Sequence, residues 1–211
     1  MSGGASDRLS FADGAAVAQV RGVARANRVS AGTQIAAFVV LTALAAQVQI
    51  RVPGLLVPVT LQSLAVLLCG YALSPWRACI AMSAYLVAGS VVAGATGGAW
   101  GLFTPGSVGL FGPTAGYLAG FVIAAPAVSV LSRRRDGLAT AIVAGLAGTT
   151  IIFGCGVAWL IVLLDSASAA VAQGLVPFLP GAGLKLAAAV AAVQYARTAR
   201  RTGRAAEGGS V

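Results

Sequence analysis

The sequence contains no histidine, a single lysine and 5 Asp+Glu among 211 residues. Each scarcity excludes something. Without histidine there is no Ser-His or Cys-His catalytic pair, no histidine-ligated metal and no histidine proton relay. The one lysine, Lys185, is followed by Leu186, so the Gly-Lys-Ser/Thr end of a phosphate-binding P-loop is missing and ATP hydrolysis of that kind is excluded. Cys69, Cys79 and Cys155 all lie in apolar runs, with neither metal-ligand spacing nor a disulfide framework, and read as small apolar fillers. Charge is scarce too: 9% of residues carry it, against roughly 25% in an ordinary soluble domain. With 58% hydrophobic residues and a mean hydropathy of +0.91, there is too little polar surface to keep a globule wet. What charge there is leans one way, with 14 Lys+Arg and a net +9. Such an excess suits either a nucleic-acid partner or the basic loops of a membrane protein, and position along the chain decides between them.

A membrane-spanning helix needs roughly 20 apolar residues. Six candidates are present: residues 33–50, 55–73 (with Pro58 near its entry), 78–96, 108–131, 138–164 and, after the turn Val176–Gly181, residues 179–196. Arg8, Arg21, Arg25 and Arg28 precede the first span; Arg77 sits between the second and third; Arg133, Arg134 and Arg135 lie between the fourth and fifth; Arg197, Arg200, Arg201 and Arg204 follow the sixth. All of these fall on one side of a six-span path, which leaves Arg51 opposite and Lys185 within a span. The positive-inside rule then predicts an all-α integral membrane protein, a bundle of six transmembrane helices with both termini cytoplasmic. The lipid bilayer, not nucleic acid, is the surrounding this implies. Residues 1–32 read as a cytoplasmic tail, mobile or weakly helical; residues 33–196 as the membrane domain; residues 197–211 as a basic cytoplasmic tail, disordered from Arg200. A signal peptide ending near Ala43-Leu44-Ala45 also fits the first span, although residues 1–32 are long for its basic start.

Four features carry candidate chemistry. Lys185 falls about one turn into the last span from its outer end. A lysine at mid-membrane costs roughly 2.5–3.5 kcal/mol; here it either snorkels to the surface or donates to a bound anion or carbonyl in an outward-facing cavity. Pro58 frees backbone at the start of the second span, which is tolerated only inside protein or beside water. Thr60 and Gln62 then offer a hydroxyl and an amide at the depth of Lys185, as ligand contacts or as polar groups at a helix start. Trp100 and Phe103, in the glycine-rich stretch between the third and fourth spans, suit an interfacial belt or a cover over an apolar ligand, with Tyr85 and Tyr117 offering ring faces from the flanking helices. Gly112, Gly116 and Gly120 recur every four residues, for close helix packing or for docking a partner.

Three of these stretches resemble a family. VPVTLQSLAVLLCG (57–70), GPTAGYLAGF (112–121) and VPFLPGAGLK (176–185) are similar, in order, to motifs of the biotin transporter BioY family, and the likeness covers about residues 33–196. The resemblance implies six membrane helices, a biotin site near the outer side, and assembly as the substrate-capturing S subunit with a transmembrane coupling subunit and ATPase subunits. The sequence departs from the family in places: Ala115 stands for a glycine of GPTGGY, Ala182 for the aspartate of PGDxxK, and the segment between Gly89 and Gly109 differs from the usual glycine-rich loop. The aspartate resembles a partner for the ureido head of biotin; the lysine is kept as Lys185. The resemblance implies no catalytic residue, no cofactor and no metal.

Read from residues alone, the chain has a membrane bundle and an outer polar cluster but no engine of its own. Vitamin capture for an ATP-driven transporter, with biotin or another vitamin as substrate, fits this inventory. A self-sufficient facilitator fits less well, since charged pore rings are missing. An intramembrane enzyme would rest on a Ser-Lys pair, and nothing in the sequence places a serine beside Lys185.

Overall fold

The computed structural model describes residues 30–96, 102–103 and 112–208, with side chains as far as Arg200 and at Thr202. The chain divides into two units, residues 1–34 and 35–211. The described part of the first is the opening of helix α1 (Ala31–Gln47). There the Ser30 hydroxyl oxygen accepts from the Thr33 backbone N–H at 3.1 Å, satisfying one donor that a helix start leaves over. The second unit carries everything else.

After α1 the chain forms a two-residue antiparallel ladder between β1 (Gln49–Ile50) and β2 (Val59–Thr60), pairing Gln49 with Thr60 and Ile50 with Val59. Pro53 and Gly54 turn between them, Gly54 at φ +85°. Helix α2 (Gln62–Ala72) follows, then α3 (Pro75–Ala95), α4 (Ala115–Ser132), α5 (Leu138–Leu164), the short α6 (Ala167–Gly174), a 3-10 turn (Val176–Phe178) and α7 (Leu179–Gly208). Four apolar helical segments are long enough to cross a membrane: Pro75–Ala95, Ala115–Ser132, Leu138–Leu164 and Ala167–Arg200. Ala31–Gln47 and Gln62–Ala72 are apolar but shorter.

Two expectations change. The helix anticipated over 55–73 begins only at Gln62. Pro58 has no N–H to give a helix and biases Val57 toward extended backbone, so the first part of that span becomes strand β2, and the Leu61 N–H bonds the Val48 carbonyl at 3.2 Å. At about 1.5 Å per residue α2 is roughly 16 Å long, short of the roughly 30 Å hydrocarbon layer. At the other end, the chain does not lose order at Arg200. Helix α7 runs on to Gly208, because Ala and Arg are good helix formers and no proline interrupts them.

The main core joins α2, α3, α4 and α5 through Val66, Cys69, Met82, Tyr85, Leu118, Phe121, Ile152 and Leu160. Helix α4 packs most extensively against α5. The reason is a small-residue stripe on α5 (Ala141, Ala144, Gly145, Gly148, Ile152 and Gly156, all buried) that lets backbones approach. At Gly156 a Cβ would overlap the Tyr117 ring; at Gly116, on α4, it would overlap Trp159 and the Cys155 carbonyl. A second, smaller cluster of Leu67, Val128, Ala144 and Ala189 attaches α7.

Candidate functional site

The break in the second span places a polar cluster where strand β2 turns into α2. Thr60 Oγ1 donates to Gln62 Oε1 at 3.0 Å, and Gln62 Nε2 donates to Tyr85 Oη at 2.6 Å. Tyr85, buried on α3, passes its own proton to the Leu102 carbonyl at 2.9 Å, and its ring meets Phe103 edge to face at 5.5 Å. The Gln62 amide is thus held at both ends in a buried position, where leaving either end unpaired costs roughly 1–3 kcal/mol.

Lys185 enters this cluster from α7. Its side chain is half-buried, and Nζ donates to Ser63 Oγ at 3.3 Å. A neutral hydroxyl is a weak match for an ammonium carrying three donors. Lys185, Thr60, Gln62 and Ser63 line one cavity of about 60 Å3, together with Pro58, Thr114, Tyr117, Phe121, Phe153 and Phe178. The apolar wall is an aromatic chain: Tyr117 meets Phe153 edge to face at 6.2 Å, and Phe153 meets Phe178 at 6.2 Å with 53° between planes. Tyr117 Oη donates to the Gly174 carbonyl at 2.6 Å, so its ring, not its hydroxyl, faces the cavity. Thr114 Oγ1 is buried without a hydrogen-bond partner. A buried hydroxyl left unpaired is costly, and this one borders the cavity.

The structure therefore brings Lys185, Gln62, Thr60 and Tyr117 to one place, with Tyr85 behind Gln62 and not on the cavity wall. Trp100 lies outside the described residues. Gly116 and Gly120 are buried against α5. Gly112 precedes the helix, and its carbonyl accepts from Trp159 Nε1 at 3.0 Å, so the three glycines do not form one continuous ladder. Two cavity residues were missed from the sequence. Ser63 lies in a helix beside better-marked polar residues, and Thr114 sits inside the GPTAGY run whose glycines drew the eye. Ser63 also supplies the serine beside Lys185 that the sequence did not place.

The model of the BioY family matches residues 18–202. A biotin transporter BioY of Thermotoga maritima is 32% identical over 128 residues, spanning 58% of this chain and 70% of that protein. A biotin transporter BioY of Rhodobacter capsulatus is 34% identical over 150 residues, spanning 61% and 72%. Among solved structures, the crystal structure of the S-component for biotin from an ECF-type ABC transporter superposes with a TM-score of 0.69 at 19% identity, over 80% of this chain and 90% of that one. At that identity the superposition speaks for the fold, and the family model for descent. With the family's motifs in order and its fold in place, the chain belongs to the BioY family.

Proposed function

We propose that this chain captures biotin at the Lys185 cavity and takes part in its uptake as the S subunit of an ATP-driven energy-coupling factor transporter. The observation that carries the reading is the convergence of a half-buried ammonium, a fixed amide and an unpaired hydroxyl (Lys185, Gln62 and Thr114) on one aromatic-walled cavity. Biotin matches that set: an apolar bicycle and tail for Tyr117, Phe153 and Phe178, and a ureido group and carboxylate for the donors and acceptors. Lys185, Gln62, Thr60 and Tyr117 contact the ligand, Trp100 adds a ring from the neighbouring loop, and Tyr85 orients Gln62. ATP hydrolysis and the transmembrane coupling belong to partner subunits. The basic segments, Arg133 to Arg135 and those after Arg197, face the cytoplasm with both termini, so that the six apolar helices lie in the cell membrane with the cavity toward its outer side.

The cavity as it stands is small. About 60 Å3 is room for about two waters at ~30 Å3 each, whereas sites for drug-sized ligands run to about 300–1,000 Å3. Ligand entry therefore has to part the aromatic wall. Purified protein in detergent is expected to bind labelled biotin at sub-micromolar concentration, with thiamine and riboflavin failing to compete; no saturable binding to folded protein would sink the proposal. Ala182 is half-buried, one turn before Lys185. Ala182→Asp is expected to tighten biotin binding severalfold, by about 1 kcal/mol for one added hydrogen bond, read by the same assay.

The Ser63–Lys185 contact favours one other reading, since a serine beside a lysine is also a nucleophile–base pair. A serine-directed fluorophosphonate separates the two: covalent labelling at Ser63 would favour the enzyme, and an unlabelled protein that still binds biotin favours the transporter.

A further inference from the structure

A second cavity, far larger than the Lys185 site, opens between α1, α2 and α7 where the helices end. It measures about 650 Å3. Its length is walled by Phe38 and Leu41 of α1, Leu68 of α2 and Ala192 and Val193 of α7, and its mouth carries Arg133, Arg197, Arg200 and Asp136. We propose that this groove binds one anionic phospholipid, with the phosphate between Arg133, Arg197 and Arg200 and an acyl chain along Phe38, Leu41 and Leu68.

The charge at the mouth is what commits the groove to an anionic lipid. Helix α2 ends at Ala72, α4 ends at Ser132 and α5 begins at Leu138, so the mouth lies where helices leave the apolar layer, at headgroup depth. Arg133 donates from Nη2 to the Leu73 carbonyl at 2.8 Å and from Nε to Ser129 Oγ at 3.1 Å. Arg197 donates from Nη2 to the Ser132 carbonyl at 3.0 Å and from Nη1 to the Gly137 carbonyl at 3.3 Å. Both guanidiniums are held by the carbonyl ends of α2 and α4, which fixes their position without using all five donors of either. A helix C-terminus contributes about half a negative charge, so two such ends and Asp136 leave about one positive charge over from three arginines. One phosphodiester is its complement. Arginine presents paired donors that match phosphate oxygens, and basic pockets between membrane helices are suited to anionic headgroups.

The walls fit a chain better than a folded partner. Leu41 is 40% exposed, and Ala192 and Ala196 present small, exposed surface beside it. On the far side of α7 a further cavity of about 900 Å3 shares Asp136 and Arg197 with this one and is lined by Leu138, Ile142, Leu186 and Val190. Apolar channels thus flank α7 on both sides and meet at the same arginine, an arrangement suited to the two chains of a phospholipid.

The test is native mass spectrometry of the purified chain, titrated with phosphatidylglycerol or with phosphatidylcholine of the same acyl chains. The anionic lipid is expected to be retained at least about tenfold more tightly, as a single adduct. Arg200→Gln removes an exposed arginine and is expected to weaken retention about fivefold, the equivalent of about 1 kcal/mol per basic residue. Ala192→Phe fills the groove from an exposed position and is expected to release the adduct. Arg134→Gln, outside the groove, is expected to leave retention unchanged. Equal retention of the two lipids overturns the proposal, as does an equal effect of Arg134→Gln and Arg200→Gln. Glycerol phosphate competing as well as the lipid would mean a phosphate site without a chain, and a second protein copy displaced by Ala192→Phe would mean an interface; either outcome overturns it.

Discussion

Helix α4 buries 11 of its 18 residues, whereas in α7 Ala189 and Val190 are the buried ones among the described side chains. Both segments are apolar enough to cross a membrane, so composition does not separate them. What separates them is where small residues sit. On α4, Gly116 and Gly120 face α5, and at Gly120 a Cβ would come within 3.1 Å of the Ile152 backbone. On α7, Gly183 has nothing within 4 Å of the position its Cβ would take. The same residue is a contact surface in one helix and an open edge in the other. A rigid α4–α5 pair forms one wall of the Lys185 cavity, and the loosely held α7 brings the lysine to it. That division suits a site too small to admit its ligand, because the element that has to move is the one with least to lose.

The comparison breaks first at Gly116. Gly116→Leu drives a side chain into Trp159 and the α5 backbone, and overpacking of that kind costs about 3 kcal/mol. The expected outcome is loss of monodisperse protein on size exclusion, or a large fall in thermal midpoint in detergent. A variant that stays folded and keeps its midpoint would mean that α4 and α5 do not hold the fold together. The second test moves to α7. Lys185→Ala is expected to leave the thermal midpoint nearly unchanged, since the Nζ–Ser63 contact is a single bond at a half-buried site. Biotin affinity is expected to fall by about 1.5–3 kcal/mol, roughly 10- to 150-fold, as one charge-assisted bond is lost. Unchanged affinity in equilibrium dialysis would return Lys185 to a snorkelling role. Tyr85→Phe lies between the two. It strands the Gln62 amide and the Leu102 carbonyl, with an expected cost of about 1–2 kcal/mol in stability, and it loosens the ligand's amide contact by a smaller margin.

How much of this was legible in the sequence depends on which force set each feature. The long apolar runs 78–96 and 138–164 became α3 and α5 almost to the residue, because hydrocarbon burial acts on run length alone. The start of α2 was less clear: Pro58 marked a break, but the Gln49–Thr60 and Ile50–Val59 pairing depends on two segments meeting, which no local pattern states. Lys185, Gln62 and Thr60 stood out as polar residues in apolar surroundings, and the fold brought them together. Ser63 and Thr114 did not stand out, since their importance comes from neighbours 122 residues away in one case and from an unpaired oxygen in the other. The arginines were read as orientation signals; that Arg133 and Arg197 also tie down the ends of α2 and α4 follows only from the packed structure.

The smallest expected effect is the sharpest check on the open edge of α7. Gly183 is exposed, lies inside the helix and borders the cavity between α5 and α7, not the Lys185 site. Glycine in a helix interior is roughly 0.5–1 kcal/mol less favourable than alanine. Gly183→Ala should therefore raise stability by about 0.5 kcal/mol, about 1–2 °C in thermal midpoint for a chain of this size, with biotin affinity unchanged. The same exchange at Gly156, where a Cβ meets the Tyr117 ring, should lower the midpoint by several degrees, since the ring cannot retreat without breaking its 2.6 Å bond to the Gly174 carbonyl. If Gly183→Ala also lowers the midpoint, another surface is already pressed against that face of α7. If it leaves the midpoint raised but slows biotin binding, the glycine is the point at which α7 bends to let the ligand in.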